Sequence, residues 1–269
     1  MVGEGLRQCL EQPDLWRGYV FAGGLLSLYL AESWAPARVW RTPRSKRLGF
    51  HLMMAVINTL ILRLIAVGPL LFFTAMARER GWGLAPLLGL SGAPEIIFSL
   101  VALDFLDYWW HRLNHSADFF WRFHKVHHVD THVDVTTSLR FHPGEFLISS
   151  AMKVLWVAIV GPSLLAFAFF EAGITLASQF HHTNIDFPFK VERWLRLLFV
   201  TPRYHAAHHT VTLRSREANF STIFIAWDRL FGSYQEPDER ELENLGLPRG
   251  REGYLSLSET FLGPFSVRY

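Results

Sequence analysis

The chain has 269 residues, half of them hydrophobic, with 10 Trp, 23 Phe, a single Cys and a formal net charge of +2. That length allows one large domain or two small ones. The small charge leaves no electrostatic footprint for a nucleic-acid partner, and a lone Cys9 excludes an intrachain disulfide and any cysteine-built zinc or iron–sulfur site.

The first 18 residues are partly acidic and lack a compact charged-then-apolar start, so they do not read as a cleaved signal peptide. Positive mean hydropathy with abundant Trp and Phe points to a membrane protein with interfacial aromatics. Residues 19–31 are apolar but short for a span of about 20 residues. Residues 38–47 carry Arg38, Arg41, Arg44, Lys46 and Arg47 without an acidic residue, the mark of a cytoplasmic loop. Residues 48–77 are long and apolar, broken by Arg63 and Gly68-Pro69, and fit either one tilted span or a tight hairpin. Residues 82–94 form a Gly/Pro-rich turn.

Residues 95–110 are apolar again, with Asp104 and Asp107 just before His111. Carboxylates at that depth are costly unless paired. They read as acceptors for the free ring N–H of nearby histidines, the alternative being a helix-end charge in water. Residues 146–177 are the last hydrophobic region. Gly161-Pro162 divides them into two arms whose outer ends both adjoin histidines, as in a helical hairpin. From residue 180 onward the chain is more polar, as in a cytoplasmic cap and tail. One path has 19–31 entering, 48–77 leaving, 95–110 returning and the hairpin dipping back. The other makes 48–77 itself a hairpin.

Seven of the thirteen histidines fall within residues 107–143, and five more are His181, His182, His205, His208 and His209. His111 and His115 are i,i+4. His124, His127 and His128 are i,i+3,i+4, a pattern that His205, His208 and His209 repeat. Residues three and four apart share a helix face, so three faces would each present imidazoles in one direction. Neutral imidazole binds zinc, iron, copper and nickel, and this many side chains suit two metals rather than one. Nitrogen ligation with few carboxylates suits iron or zinc. Iron can activate O2, whereas zinc allows only hydrolysis or structure. Isolated polar or core histidines are the bland alternative. His51 is remote and reads as packed or interfacial, and His132 as a surface residue in a loop.

These residues resemble the fatty acid hydroxylase/sterol desaturase superfamily of integral-membrane di-iron enzymes. HRLNH is similar to its HxxxH box, HKVHH and YHAAHH to its HxxHH boxes, and QFHHTNIDFP to its HxN segment, with His182 and Asn184 in place. VDVTTSLRFHP, ending at His142-Pro143, and NFSTIFIAWDRLFGSY complete the ordered set. The resemblance implies an all-α integral-membrane fold, with about four transmembrane or hairpin helices under a cytosolic helical cap. It divides the chain into membrane helices (1–94), a catalytic region (95–234) and a cytosolic tail (235–269). It implies two irons, O2 as co-substrate, and electrons from an external NAD(P)H-dependent chain through cytochrome b5, ferredoxin or a reductase. The expected ligands are His111, His115, His124, His127, His128, His205, His208 and His209, joined by His182 and His142. His181, Asn184 and Tyr204, with Asp104 and Asp107, are expected just behind them, Asn184 on a metal-bound water or as a helix cap. Arg140 and Glu145 flank His142-Pro143 as a possible ion pair, and Trp227 and Asp228 are expected to fix the later segment against the cap. The expected activity is hydroxylation of a lipid C–H bond, with desaturation on the same site as the alternative and a non-redox zinc protein as a further one. A bacterial inner membrane is the expected location, with the site on its cytoplasmic face.

Overall fold

The computed structural model describes residues 13–248 and 255–265. Cys9 and residues 1–12 of the stretch read for a signal peptide lie outside them. Among the described residues the chain is helical, with isolated bridges and no extended strand. Among the described residues three stretches are long and apolar enough to cross a membrane: Arg44–Leu87, Pro143–Val160 and Leu164–His181.

Helix α1 (Pro13–Trp34) takes in the short apolar segment and ends at the basic loop. Helices α2 (Arg44–Leu62) and α3 (Gly68–Glu79) are joined through a π-helical turn, Arg63–Val67. Pro69 in the first turn of α3 has no N–H to donate backward, and one wider turn absorbs the missing bond without ending the helix. Residues 48–77 are therefore one uninterrupted helical run rather than a hairpin. The run from Arg44 to Glu79 is roughly 50 Å long at 1.5 Å per residue, more than the hydrocarbon core needs. Its apolar side chains face outward, Leu64 being 83% and Phe72 72% exposed, as lipid contact requires.

The turn at 82–94 contains a single helical turn, α4 (Leu84–Leu87). Helix α5 (Gly92–Ser116) then runs to the first histidines, followed closely by α6 (Asp118–His128). The predicted hairpin is α7 (Pro143–Val160) and α8 (Leu164–His181). Its tip demands glycine. Gly161 ends α7 with φ 66°, and an added Cβ would lie 2.0 Å from the Trp82 carbonyl oxygen. Gly83, with φ 95°, would put a Cβ 2.3 Å from the Gly161 nitrogen. Buried Glu95 accepts from the Ser163 N–H at 2.6 Å, tying the start of α5 to the same tip.

Helix α5 packs along α8, α1 also lies on α8, and α2 and α3 lie along α7. Leu103, Trp110, Trp156, Val157, Phe167 and Phe170 fill the space between them. The basic loop meets the far end of α8: the Ala37 N–H donates to the Asn184 carbonyl at 2.9 Å and the Asp186 N–H to that of Ala35 at 2.8 Å. The basic loop and the histidines thus share one end of the helices, and the hairpin tip occupies the other.

Beyond α8, short helices form a cap over that end: α9 (Phe189–Leu195), α10 (Pro202–His208), α11 (Leu213–Arg216), α12 (Ala226–Leu230) and α13 (Glu239–Leu242). The chain then returns through α14 (Leu257–Leu262). Leu255 and Leu257 pack on Phe50, Met54 and Val126.

Candidate metal centre

Helices α5, α6 and α10 and the carboxyl end of α8 bring nine imidazoles together in two groups. His111, His115, His124, His128 and His208 form one, and His127, His182, His205 and His209 the other. Within each group the candidate ligand atoms lie within 4.8 Å of one another. The helical period explains the sorting. Residues i and i+4 are about 40° apart on the helix, whereas i+3 lies about 60° to the other side. In both i,i+3,i+4 triads the i,i+4 pair serves one group and the middle residue crosses to the other. His124 and His128 stay together while His127 leaves, and His205 and His209 stay together while His208 leaves.

The ring orientations are set from behind. His111 Nδ1 lies 2.8 Å from the Phe220 carbonyl oxygen, His208 Nδ1 2.6 Å from that of Ala218, His127 Nδ1 3.2 Å from that of Arg140 and His182 Nδ1 2.7 Å from that of Ser178. His124 Nδ1 meets Glu145 Oε1 at 2.8 Å. A carbonyl oxygen only accepts, so Nδ1 carries the proton in each carbonyl-bound ring and Nε2 is a bare lone pair when the ring is neutral. Burial keeps the rings neutral. It holds His127, His128, His205, His208 and His209 well below the ordinary imidazole value and lowers His182 to about 4.

Those bare nitrogens converge. The Nε2 atoms of His111 and His208 are 3.1 Å apart, and those of His127 and His182 are 3.0 Å apart. Neither pair has a proton to share, so the approach is repulsive unless a cation lies between. Further Nε2 pairs, His115–His128, His124–His128, His182–His205 and His205–His209, lie at 3.1–3.2 Å. Two nitrogens each ~2.1 Å from a common metal stand ~3.0 Å apart at a right angle and ~3.4 Å apart at the tetrahedral angle. The observed separations fall in that interval, so the donor set fits a pair of nitrogen-ligated metals.

His142, expected among the ligands, stays outside both groups. Its Nδ1 accepts from the Gly144 N–H at 2.9 Å, capping its own helix, and its Nε2 faces the Phe261 carbonyl oxygen at 3.3 Å. Both ring nitrogens are thereby engaged. His181 donates from Nδ1 to the Thr222 carbonyl at 3.2 Å and its ring lies 3.9 Å from that of His205, beside the second group rather than in it.

Asp104 and Asp107 do not accept from imidazoles as expected. Asp104 accepts from the Ile223 and Phe224 N–H groups at 3.1 Å and from Trp227 Nε1 at 2.8 Å. Asp107 accepts from the Thr222 hydroxyl at 2.8 Å. Asp228 adds acceptors for the Phe220 and Ser221 N–H groups at 2.8 and 2.9 Å. These carboxylates hold residues 220–227, and it is the carbonyls of Phe220 and Thr222 that meet His111 and His181. The acids therefore act on the rings through the main chain. Trp227 and Asp228 fix this segment as expected.

Asn184 also departs from expectation. Its Oδ1 accepts from the Arg38 N–H at 3.0 Å and its Nδ2 donates to the Arg38 carbonyl at 2.7 Å, fastening the basic loop rather than facing a metal. Tyr204 is a packing residue, its ring 5.2 Å from that of Tyr234. His132, read as exposed, is buried with its ring 5.7 Å from that of Trp40. Glu145 does not pair with Arg140, whose Nε donates to the Val126 carbonyl at 2.8 Å. It is instead the one carboxylate that reaches a ring nitrogen of the two groups within ordinary hydrogen-bond distance among the described residues.

A second network was not legible in the sequence. Buried Arg47 of α2 grips Asp130 through Nη1 and Nη2 at 2.8 and 2.9 Å and Asp134 through Nε at 2.7 Å. Asp130 follows His128 by two residues, so this clamp fixes the chain leaving α6. His51, one turn along α2, adds Nδ1 to the Thr136 hydroxyl at 2.7 Å.

A cavity of about 410 Å³ opens on the imidazoles from among the apolar helices. His111, His124, His127, His182 and His205 are among the residues that line it, with Phe146, Ile174 and Leu62 also in its wall.

The fatty acid hydroxylase family model matches residues 96–233, just over half of the chain. An ornithine lipid hydroxylase from Rhizobium tropici is 29% identical over 57% of this chain and 45% of its own length. Methylsterol monooxygenase 2-2 from Arabidopsis thaliana is 29% identical over 52% of each chain. Alkylglycerol monooxygenase from Danio rerio is 28% identical over 56% of this chain and 33% of its own. The chain spans about half the length of the first of these curated relatives. No solved structure matches.

Proposed function

The chain belongs to the fatty acid hydroxylase family, and from that premise we propose that it is a membrane oxygenase that hydroxylates an unactivated C–H bond of a lipid. The supporting observation is the pair of imidazole groups, with facing bare nitrogens, in the wall of a cavity among apolar helices. In this reading His111, His115, His124, His128 and His208 hold one iron, and His127, His182, His205 and His209 the other. The metals supply the oxidising power, with O2 as oxidant. One oxygen atom enters the C–H bond and the other leaves as water, with electrons drawn from a separate carrier protein supplied by NAD(P)H.

The protein's own part is placement. The carbonyls of Phe220, Ala218, Arg140 and Ser178, with Glu145, hold the rings in one tautomer and one orientation. The cavity walls admit a lipid from among the helices and keep bulk water from the reacting carbon. The relatives named for ornithine lipid, methylsterol and alkylglycerol support a lipid substrate. The basic loop that shares an end with the histidines supports a cytoplasmic site, and we assign the chain to a bacterial inner membrane.

The test compares lipid mass spectra of cells expressing the intact chain and a His127→Ala/His208→Ala double variant, with a competent reductase. A lipid that gains one oxygen only with the intact chain supports the reading. A lipid that loses two hydrogens instead makes the chain a desaturase, and no difference between folded proteins refutes both.

A further inference from the structure

Three charged side chains meet outside the two imidazole groups: Lys153 on α7, Glu171 on α8 and Arg17 on α1. Lys153 Nζ donates to Glu171 Oε1 at 2.5 Å, and Arg17 Nη2 to Glu171 Oε2 at 3.4 Å. Lys153 and Glu171 lie near the middle of 18-residue helices that are apolar enough to span a bilayer. Charges at that depth are costly, and they mark pathways and binding sites more often than fasteners. All three side chains line the cavity that reaches the imidazoles.

The group is asymmetric in what it leaves available. Each oxygen of Glu171 faces a cation. The Lys153 ammonium has three donors and spends one on Glu171. Its remaining donors border the cavity in a setting where water is scarce and an unmet ammonium donor is expensive. An anion can satisfy them at the Lys153 end, because the other two carboxylates of the cavity are already engaged, Asp107 by the Thr222 hydroxyl and Glu145 by His124.

We propose that Lys153, backed by Arg17 and balanced by Glu171, seats an anionic group of the lipid substrate, a carboxylate or a phosphodiester. The inference rests on the oxygenase reading of the cavity. It adds that the oxidised carbon is counted from a charged group rather than from a chain end. Lys153 is eight residues along α7 from Glu145, which touches His124. Eight residues are about 12 Å of helix, roughly ten bonds of an extended chain. Phe146 and Ile174 are also in the wall, where an alkyl segment can lie.

The experiment measures retention of N-palmitoylglycine and lysophosphatidylglycerol against uncharged N-palmitoylethanolamine by the purified full chain in detergent. Both anions should be retained at least about tenfold better, the scale of one hydrogen bond to a charged group, and a preference for one anion names the source. The decisive comparison is of opposite sign. Lys153→Gln should abolish the preference, whereas Glu171→Gln should strengthen it by releasing the cations. A purely structural cluster would respond alike to both, so an unchanged or weakened preference in Glu171→Gln overturns the inference even if Lys153→Gln fails to fold. Equal retention of charged and uncharged lipids overturns it as well. The measurement needs no turnover, so a chain that prefers anions and oxidises nothing would refute the reaction and leave the seat standing.

Discussion

His127 and His128 are adjacent in the chain and serve different nitrogen groups: His128 joins His111, His115, His124 and His208, and His127 joins His182, His205 and His209. The roughly 100° between neighbours on a helix separates them, so α6 is a shared wall between two sites. The groups differ in size, and that difference is measurable. His209→Ala leaves the smaller group with three nitrogens and should lower bound metal from two ions per chain to about one, since closed nitrogen sites hold four ligands. His115→Ala leaves four nitrogens in the larger group and should keep nearly both. Elemental analysis of the purified variants reads the result directly.

Glu145 orients His124 through Nδ1. Its replacement by Ala frees the ring to rotate and should cost about 10–100-fold in metal affinity, the usual loss for such a partner. Glu145→Gln keeps a carbonyl oxygen able to accept the same proton and should lie much closer to the parent. Competition with a chelator of known affinity separates the two, and equal losses would refute the orienting role.

Arg47→Met should be the most destabilising single change on α2. It leaves Asp130 and Asp134 buried without their cation, a loss of about 3–5 kcal/mol. Arg47→Lys should recover only part, because an ammonium cannot reproduce the two-pronged contact with Asp130 and the third bond to Asp134. Thermal unfolding in detergent orders the three proteins. A Lys variant as stable as the parent would show that charge alone is needed.

The metal-free chain should lose stability on acidification. Burial lowers His182 and His132 from 6.5 to about 4. Between those values the unfolded chain binds protons that the folded chain refuses, so stability falls as pH drops from about 6.5 toward 4, by up to ~1.4 kcal/mol per pH unit for each group. Unfolding midpoints of chelator-treated protein across that window measure the slope. A flat profile would mean that the buried rings are not held neutral.

The helices and the clustering of nine imidazoles were legible because their signals are local. The HxxxH and HxxHH spacings place imidazoles on helix faces, and Gly161-Pro162 marks the hairpin tip. The misreadings share one cause. Spacing tells which face a side chain occupies, but not what stands opposite. Asp104 and Asp107 are on the expected helix near His111, but Asp104 faces the backbone of 223–224 and Asp107 the Thr222 hydroxyl. His142 sits in the expected order of boxes, but its Nδ1 is taken by the first turn of its own helix. Glu145 and Arg47 were missed as partners because their contacts join residues 21 and 83–87 positions apart.

Four of the nine clustered imidazoles are aimed by main-chain oxygens, at Arg140, Ser178, Ala218 and Phe220. No substitution can delete a peptide carbonyl. The aim of those rings is therefore insulated from the side chains at the four positions, provided the backbone path is kept. The fragile points are displaced to the residues that hold that path, Asp104 and Asp228 for the 220–227 segment and the Arg47 clamp for the chain leaving α6. A map of mutational tolerance should show permissive positions directly behind the imidazoles and intolerant ones a layer further out, the reverse of a site whose rings are steered by side chains.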